Sequence, residues 1–229
     1  MDSDRRRLWN TQTREPVATL TGHGDWVRAV TFLPSPGLLA TAGQDKVIHV
    51  WDLQRHQILR TLEGHVHWVL SLVPHPNGKW LFSGSRDRTI RCWNLVSGTC
   101  EYTLSGHSSE VTGLAINAQG DRLFSSSGDQ TIGIWDIHTR KRLQTLQGHT
   151  GAVNSVAIHP SDHEFASGST DKTIKLWRMD ADTPYATLSG HAGWVWTVTL
   201  PRHVSPNRPL TLASGSWDGT INIWQADSC

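Results

Sequence analysis

The chain has 229 residues, with 21 Lys and Arg against 20 Asp and Glu, 13 His, 12 Trp and three Cys, for a formal net charge of +1. That balance argues against a general nucleic-acid binder, which needs a clustered positive excess to neutralise phosphates; the only dense basic run is Arg5-Arg6-Arg7. Hydrophobic residues make up 37%, or about 45% with glycine, which is the composition of a folded chain and excludes a disordered one.

Along the chain, residues from Asp4 to Asn10 resemble the end of a strand, and Pro16-Val17-Ala18-Thr19-Leu20 reads as a short strand of its own. A self-similar pattern follows. Gly22-His23, Gly64-His65, Gly106-His107, Gly148-His149 and Gly190-His191 recur at a step of 42 residues. Asp45, Asp87, Asp129 and Asp171 lie 22 residues after their histidines, and Trp51, Trp93, Trp135 and Trp177 lie 28 after. In the fifth unit Asp218 and Trp224 arrive five residues late, and the turn-rich stretch Pro201 to Pro209 accounts for the delay as an enlarged loop between the first and second strands. Within one unit, Val153 to Ile158, Glu164 to Gly168, Thr173 to Trp177 and Ala186 to Leu188 are short β-branched and apolar runs separated by turn residues. No segment shows a sustained 3.6-residue apolar period, which disfavours helical solenoids. Four-stranded meanders of this kind bury their apolar faces by stacking in tandem.

No run approaches the ~20 apolar residues of a membrane-spanning helix, and no apolar signal follows Met1, so the chain is expected to be cytoplasmic and without a membrane span. Cys92, Cys100 and Cys229 stand at unrelated spacings and read as free thiols. The remaining histidines form no HxxxH or CxxC arrangement, and no metal, cofactor or small-molecule substrate is expected.

The stretch Ser167-Gly168-Ser169-Thr170-Asp171-Lys172-Thr173-Ile174-Lys175-Leu176-Trp177, with the Gly-His upstream, resembles the repeats of the WD-repeat β-propeller family. The resemblance runs from about Trp9 to Trp224. It implies an all-β propeller of about five four-stranded antiparallel blades, with each unit supplying the outer strand of one blade and the inner three of the next. Residues 1–15 are expected to form a partial leading strand or tail, and 16–229 the propeller. Nothing after Trp224 supplies a fifth outer strand, and Pro16 to Leu20 is the natural replacement. Either the ring closes through that N-terminal strand, giving a monomer, or the chain is an incomplete part of a larger ring, or it is an open array completed by a second copy. An unclosed ring is expected to self-associate.

The family satisfies its buried Trp N–H, hydroxyl and imidazole groups with a hydrogen-bonded relay, because an unpaired buried polar group costs ~1 to 3 kcal/mol. The resemblance maps that relay onto Trp51, Thr41, His23, Asp45; Trp93, Ser83, His65, Asp87; Trp135, Ser125, His107, Asp129; Trp177, Ser167, His149, Asp171; and Trp224, Ser214, His191, Asp218. A Ser-His-Asp hydrolase is the competing reading, but five equivalent copies mark a structural device and not a single asymmetric site. Departures are few. The second residue of the Trp-Asp pair survives only as Asp52 and Asp136, and Ser126 with mid-strand Gly133 predicts that the third blade packs least well.

The loops around the relay His and Asp line one rim in this family. The residue three after each His (Trp26, Trp68, Glu110, Ala152, Trp194) and the one before each Asp (Gln44, Arg86, Gly128, Thr170, Trp217) are therefore expected there. Trp and Arg are enriched at binding hot spots, so the rim is expected to bind a protein or peptide and the chain to be a non-catalytic scaffold or adaptor. The alternative is a fragment or regulatory repeat region of a larger multidomain signalling protein.

Overall fold

A computed structural model describes residues 6–201 and 211–225; the proline-rich stretch after Pro201 therefore lies largely outside the described residues. All regular structure among them is β, in 21 strands, and no helix is long and apolar enough to cross a membrane. The chain divides into two compact units, Met1–Thr103 and Leu104–Cys229.

In the first unit, β1 (Arg6–Trp9) and β2 (Pro16–Leu20) form a two-stranded antiparallel sheet. The first blade follows as β3 (Val27–Phe32), β4 (Leu38–Gly43), β5 (Ile48–Asp52) and β6 (Gln57–Leu62), paired in that order. β7 (Val69–Pro74), β8 (Trp80–Ser85), β9 (Thr89–Asn94) and β10 (Cys100–Ser105) make the second blade, with β10 at its outer edge. The second unit holds the third blade, β11 (Val111–Ile116), β12 (Arg122–Ser127), β13 (Ile132–Asp136) and β14 (Lys141–Leu146). The fourth blade is β15 (Val153–Ile158), β16 (Glu164–Ser169), β17 (Thr173–Arg178) and β18 (Ala186–Ser189). The last sheet has three strands, β19 (Val195–Thr199), β20 (Thr211–Ser216) and β21 (Ile221–Gln225).

Within each unit, one blade sets a face against the next. Ala40, Ala42, Ile48 and Val50 of the first blade share a core cluster with Val69 and Leu81 of the second. Ala166, Ile174 and Leu176 of the fourth pack likewise with Val195 and Val198 of the fifth. The recurring Gly-His glycine has a packing cause: a Cβ there would lie 3.3 Å from the ring tip of Trp51, Trp93 or Trp135, 3.2 Å from Trp177 and 3.0 Å from Trp224.

Two expectations need correction. Pro16–Leu20 does not add to the fifth sheet. It pairs with β1, Arg6 opposite Leu20 and Leu8 opposite Ala18, while Leu8 and Leu20 pack on Leu39 and Trp51. The hairpin loop fixes this locally, since the Asn10 carboxamide oxygen accepts from the Gln12 and Thr13 amides at 2.8 and 3.1 Å, and a short loop closes at far lower entropic cost than a connection spanning the whole chain. Nor is the third blade the worst packed. Ser126 is fully buried and bonds Thr112 Oγ1 at 3.0 Å. A Cβ at Gly133 would lie 3.2 Å from Arg142 Nε; the Arg142 guanidinium lies 5.2 Å over the Trp135 ring and donates to the Gly106 carbonyl at 2.9 Å, so a long side chain from β14 covers the gap. The fifth sheet is the exposed one, with Ile221 and Ile223 at 77% and 64%.

Candidate functional site

The relay residues meet in all five blades. Each indole Nε1–H donates to the hydroxyl of Thr41, Ser83, Ser125, Ser167 or Ser214 at 2.7 to 2.8 Å. The same hydroxyls lie 2.7 to 2.8 Å from His Nε2, and His Nδ1 lies 2.7 to 3.0 Å from the Asp Oδ2. An indole can only donate, so the hydroxyl accepts from it and gives its own proton to Nε2, which leaves Nδ1–H to donate to the carboxylate. Oδ2 also accepts the backbone N–H of the residue after each His, at 2.8 to 3.1 Å.

Four of the five carboxylates are held at their second oxygen too. Thr89, Thr131, Thr173 and Thr220 donate Oγ1–H to Oδ1 at 2.5 to 2.6 Å. Burial works to raise the pKa values of Asp87, Asp129 and Asp171, but the His and Thr hydrogen bonds outweigh it and hold all three below the carboxylate range, Asp129 at about 2. At Asp218 the Thr220 hydrogen bond is the largest cause of a similar lowering. Burial holds His107 below the usual imidazole range.

The first blade breaks this pattern. Val47 stands where the others have Thr, and Asp45 Oδ1 is buried without a hydrogen-bond partner. Beside it, His49 on β5 is 6% exposed, its ring centroid 4.4 Å from that of His23. Its Nδ1 lies 3.0 Å from Thr61 Oγ1, and its Nε2 is also buried and unpartnered. Desolvation pushes the His49 ring below the usual imidazole range. Sequence spacing missed this grouping because its three members come from a loop, a turn and a strand.

The positions expected on the rim are locked by backbone and varied by side chain. The amides of Gln44, Arg86, Gly128, Thr170 and Trp217 donate to the carbonyls of Trp26, Trp68, Glu110, Ala152 and Trp194 at 2.8 to 2.9 Å. In the first unit, Arg28 lies 5.3 Å over Trp26 and 5.7 Å over Trp68, and Arg86, in the turn after β8, lies 4.6 Å over Trp68. Such distances are within cation–π range. In the second unit, Trp194, Trp196 and Trp217 form a triangle with ring centroids 5.9 to 6.1 Å apart, at 47%, 46% and 71% exposure. Glu110 is half-buried and accepts from the Ser109 hydroxyl at 2.6 Å.

Arg28 and Trp196 were not among the expected rim residues. Both sit at a β-bulge that interrupts the first strand of every blade, between Val27 and Ala29 in one and Val195 and Thr197 in the other. A bulge re-aims the extra side chain. In the third and fourth blades the bulge residue reaches the next blade, Thr112 donating to the Val153 carbonyl at 2.5 Å and Asn154 to that of Val195 at 2.9 Å. Trp196 has no following blade among the described residues and folds onto its own Trp194 and Trp217.

Tandem antiparallel blades tied by a Trp–hydroxyl–His–Asp relay define a repeat protein of the β-propeller class. Matches to the WD domain, G-beta repeat (WD40) family cover residues 14–52, 56–94, 98–136, 140–178 and 182–225, and the chain belongs to that family. No curated protein matches it. WD40 repeats are generally non-catalytic and serve protein or peptide interaction.

Proposed function

We propose that this protein is a non-catalytic scaffold or adaptor that docks a protein or peptide on the rim carrying the relay loops. The exposed triangle of Trp194, Trp196 and Trp217 carries the reading: three indoles at a surface held by paired backbone form a preorganised anchor of the type that dominates binding hot spots. The relay supports it from the other side. Its serine hydroxyls are 0 to 2% exposed and already engaged with indole and imidazole, so none is presented as a nucleophile. The test is selection of displayed peptides on the intact protein, followed by affinity measurement on rim variants. Trp217→Ala is expected to weaken the selected peptides about thirtyfold, or ~2 kcal/mol, with the melting temperature unchanged. Peptides indifferent to Trp217 and Arg86 substitutions, or a large loss of stability in Trp217→Ala, would remove the rim from the binding site.

A second reading has its own support: we propose self-association through the uncovered faces. Ile221 and Ile223 are exposed where the corresponding Ile48 and Val50, Ile90 and Cys92, Ile132 and Ile134, and Ile174 and Leu176 are at most 5% exposed. Light scattering of the parent and of Ile221→Lys decides it, since a monomeric parent ends the proposal.

A further inference from the structure

The first blade carries a chemical feature that the other four lack. His23, Asp45 and His49 each place a ligand atom within 4.8 Å of the other two, and this is the one such group among the described residues. Two of their atoms, Asp45 Oδ1 and His49 Nε2, are buried with no hydrogen-bond partner, which destabilises the fold if nothing binds them. Neither orphan follows from the repeat. The repeat's Thr clamp on Oδ1 is replaced by Val47, and the position of His49 is filled by Arg91, Gly133, Lys175 and Asn222 in the other blades. One substitution frees a carboxylate oxygen and another delivers an imidazole nitrogen to the same place.

We infer that His23, Asp45 and His49 form a binding site for a divalent transition metal of the zinc class. Two imidazoles and a carboxylate are the donor set that suits zinc, nickel and copper, and calcium or magnesium would instead demand oxygen donors. The non-ligating nitrogen of each histidine already has a hydroxyl partner, as metal-bound histidines require. Thr61 Oγ1 lies 3.0 Å from His49 Nδ1, which orients the ring with its Nε2 lone pair free. Thr41 Oγ1 lies 2.7 Å from His23 Nε2. With metal bound, His23 carries its proton on Nε2 and directs Nδ1 to the ion; the Thr41 oxygen has lone pairs for both that proton and the Trp51 N–H. The imidazole proton only moves from one ring nitrogen to the other, so neutral His23 releases none. The ion then binds where the His23–Asp45 hydrogen bond lay and ties the loop before β3 to the turn before β5 and to β5 itself.

The experiment uses the full chain freed of metal with a chelator. Zinc titration by calorimetry should give one saturable equivalent and raise the melting temperature, and cobalt should give the visible absorption of a low-symmetry nitrogen and oxygen site. His49→Asn, which copies the residue of the fifth blade, should abolish both. Val47→Thr, which restores the clamp on Asp45 Oδ1, should weaken zinc about tenfold or more while the metal-free protein melts no lower than the parent. The inference is overturned if the parent shows no saturable zinc binding, or if either variant binds zinc as the parent does, in which case exposed histidines such as His56 and His138 hold the ion.

Discussion

The fourth and fifth blades carry the same relay and almost the same strand signature, and they differ in what covers them. The indole-to-hydroxyl distance is 2.8 Å in both, and His Nδ1 to Asp Oδ2 is 2.7 Å in one and 3.0 Å in the other. Yet Ile174 and Leu176 are 0% and 5% exposed, against 77% and 64% for Ile221 and Ile223. Hydrogen bonding within a blade is therefore a local property, set by residues spaced within one repeat. Burial of a blade's face is not local, because it depends on the first strand of a following blade. The sharpest way to break the comparison is Ile174→Ala set beside Ile221→Ala. The first should cost about 2 to 5 kcal/mol through lost contacts and a cavity, the second no more than about 0.5 kcal/mol, as read by urea denaturation. Equal losses would mean that Ile221 is covered in solution.

The same distinction explains what could be read before any coordinates. The succession of strands within a blade follows from short-range spacing, and the offset of repeat and blade from the family resemblance. The pairing of β2 with β1 was missed because periodicity assigns a strand a type and not a partner, and the Asn10 turn that decides it lies outside the repeat. At the rim, Trp217 was legible by comparison with Gln44, Arg86, Gly128 and Thr170, but Trp196 was not, since no residue type announces a bulge. His49 was invisible for a third reason: its meaning comes from Val47, a loss that shows only when the threonines of the other blades are known to grip a carboxylate.

Next in size is the relay. Asp171→Ala strands the His149 Nδ1–H and the Thr150 amide, which donate to Asp171 Oδ2 at 2.7 and 3.1 Å, and should cost about 1 to 3 kcal/mol. Asp218→Ala should cost less, because water reaches the fifth blade more readily. Thermal melts of the two variants check the order.

Acid then tests the carboxylates together. The folded values of Asp87, Asp129, Asp171 and Asp218 lie below the ordinary 3.8, with Asp129 at about 2, so these four stabilise the fold above about pH 4 and that contribution is lost as pH falls towards the folded values. Denaturation midpoints measured from pH 6 to 2 should be flat and then drop. Thr173→Val copies the Val47 arrangement and removes a donor to Asp171 Oδ1; it should move the drop to higher pH. A profile identical to the parent's would show that Thr173 does not hold that carboxylate.

The smallest expected effect concerns the turn after the relay Asp. Lys172 adopts φ 70° in the fourth blade, where the fifth has Gly219 at 81°. A left-handed backbone costs a residue with a Cβ about 1 to 2 kcal/mol, while glycine costs about 0.5 to 1 kcal/mol through the greater freedom it loses on folding. The strain is the larger quantity, so Lys172→Gly should stabilise the protein by about 0.5 kcal/mol, and Gly219→Lys should destabilise it by a similar amount. The fifth blade's exposure does not enter either term, because both belong to the backbone of a four-residue turn. Opposite signs of similar size in the two variants would confirm that the turn is as local as the relay, and a much larger loss in Gly219→Lys would show that the terminal blade depends on this turn more than the covered one does.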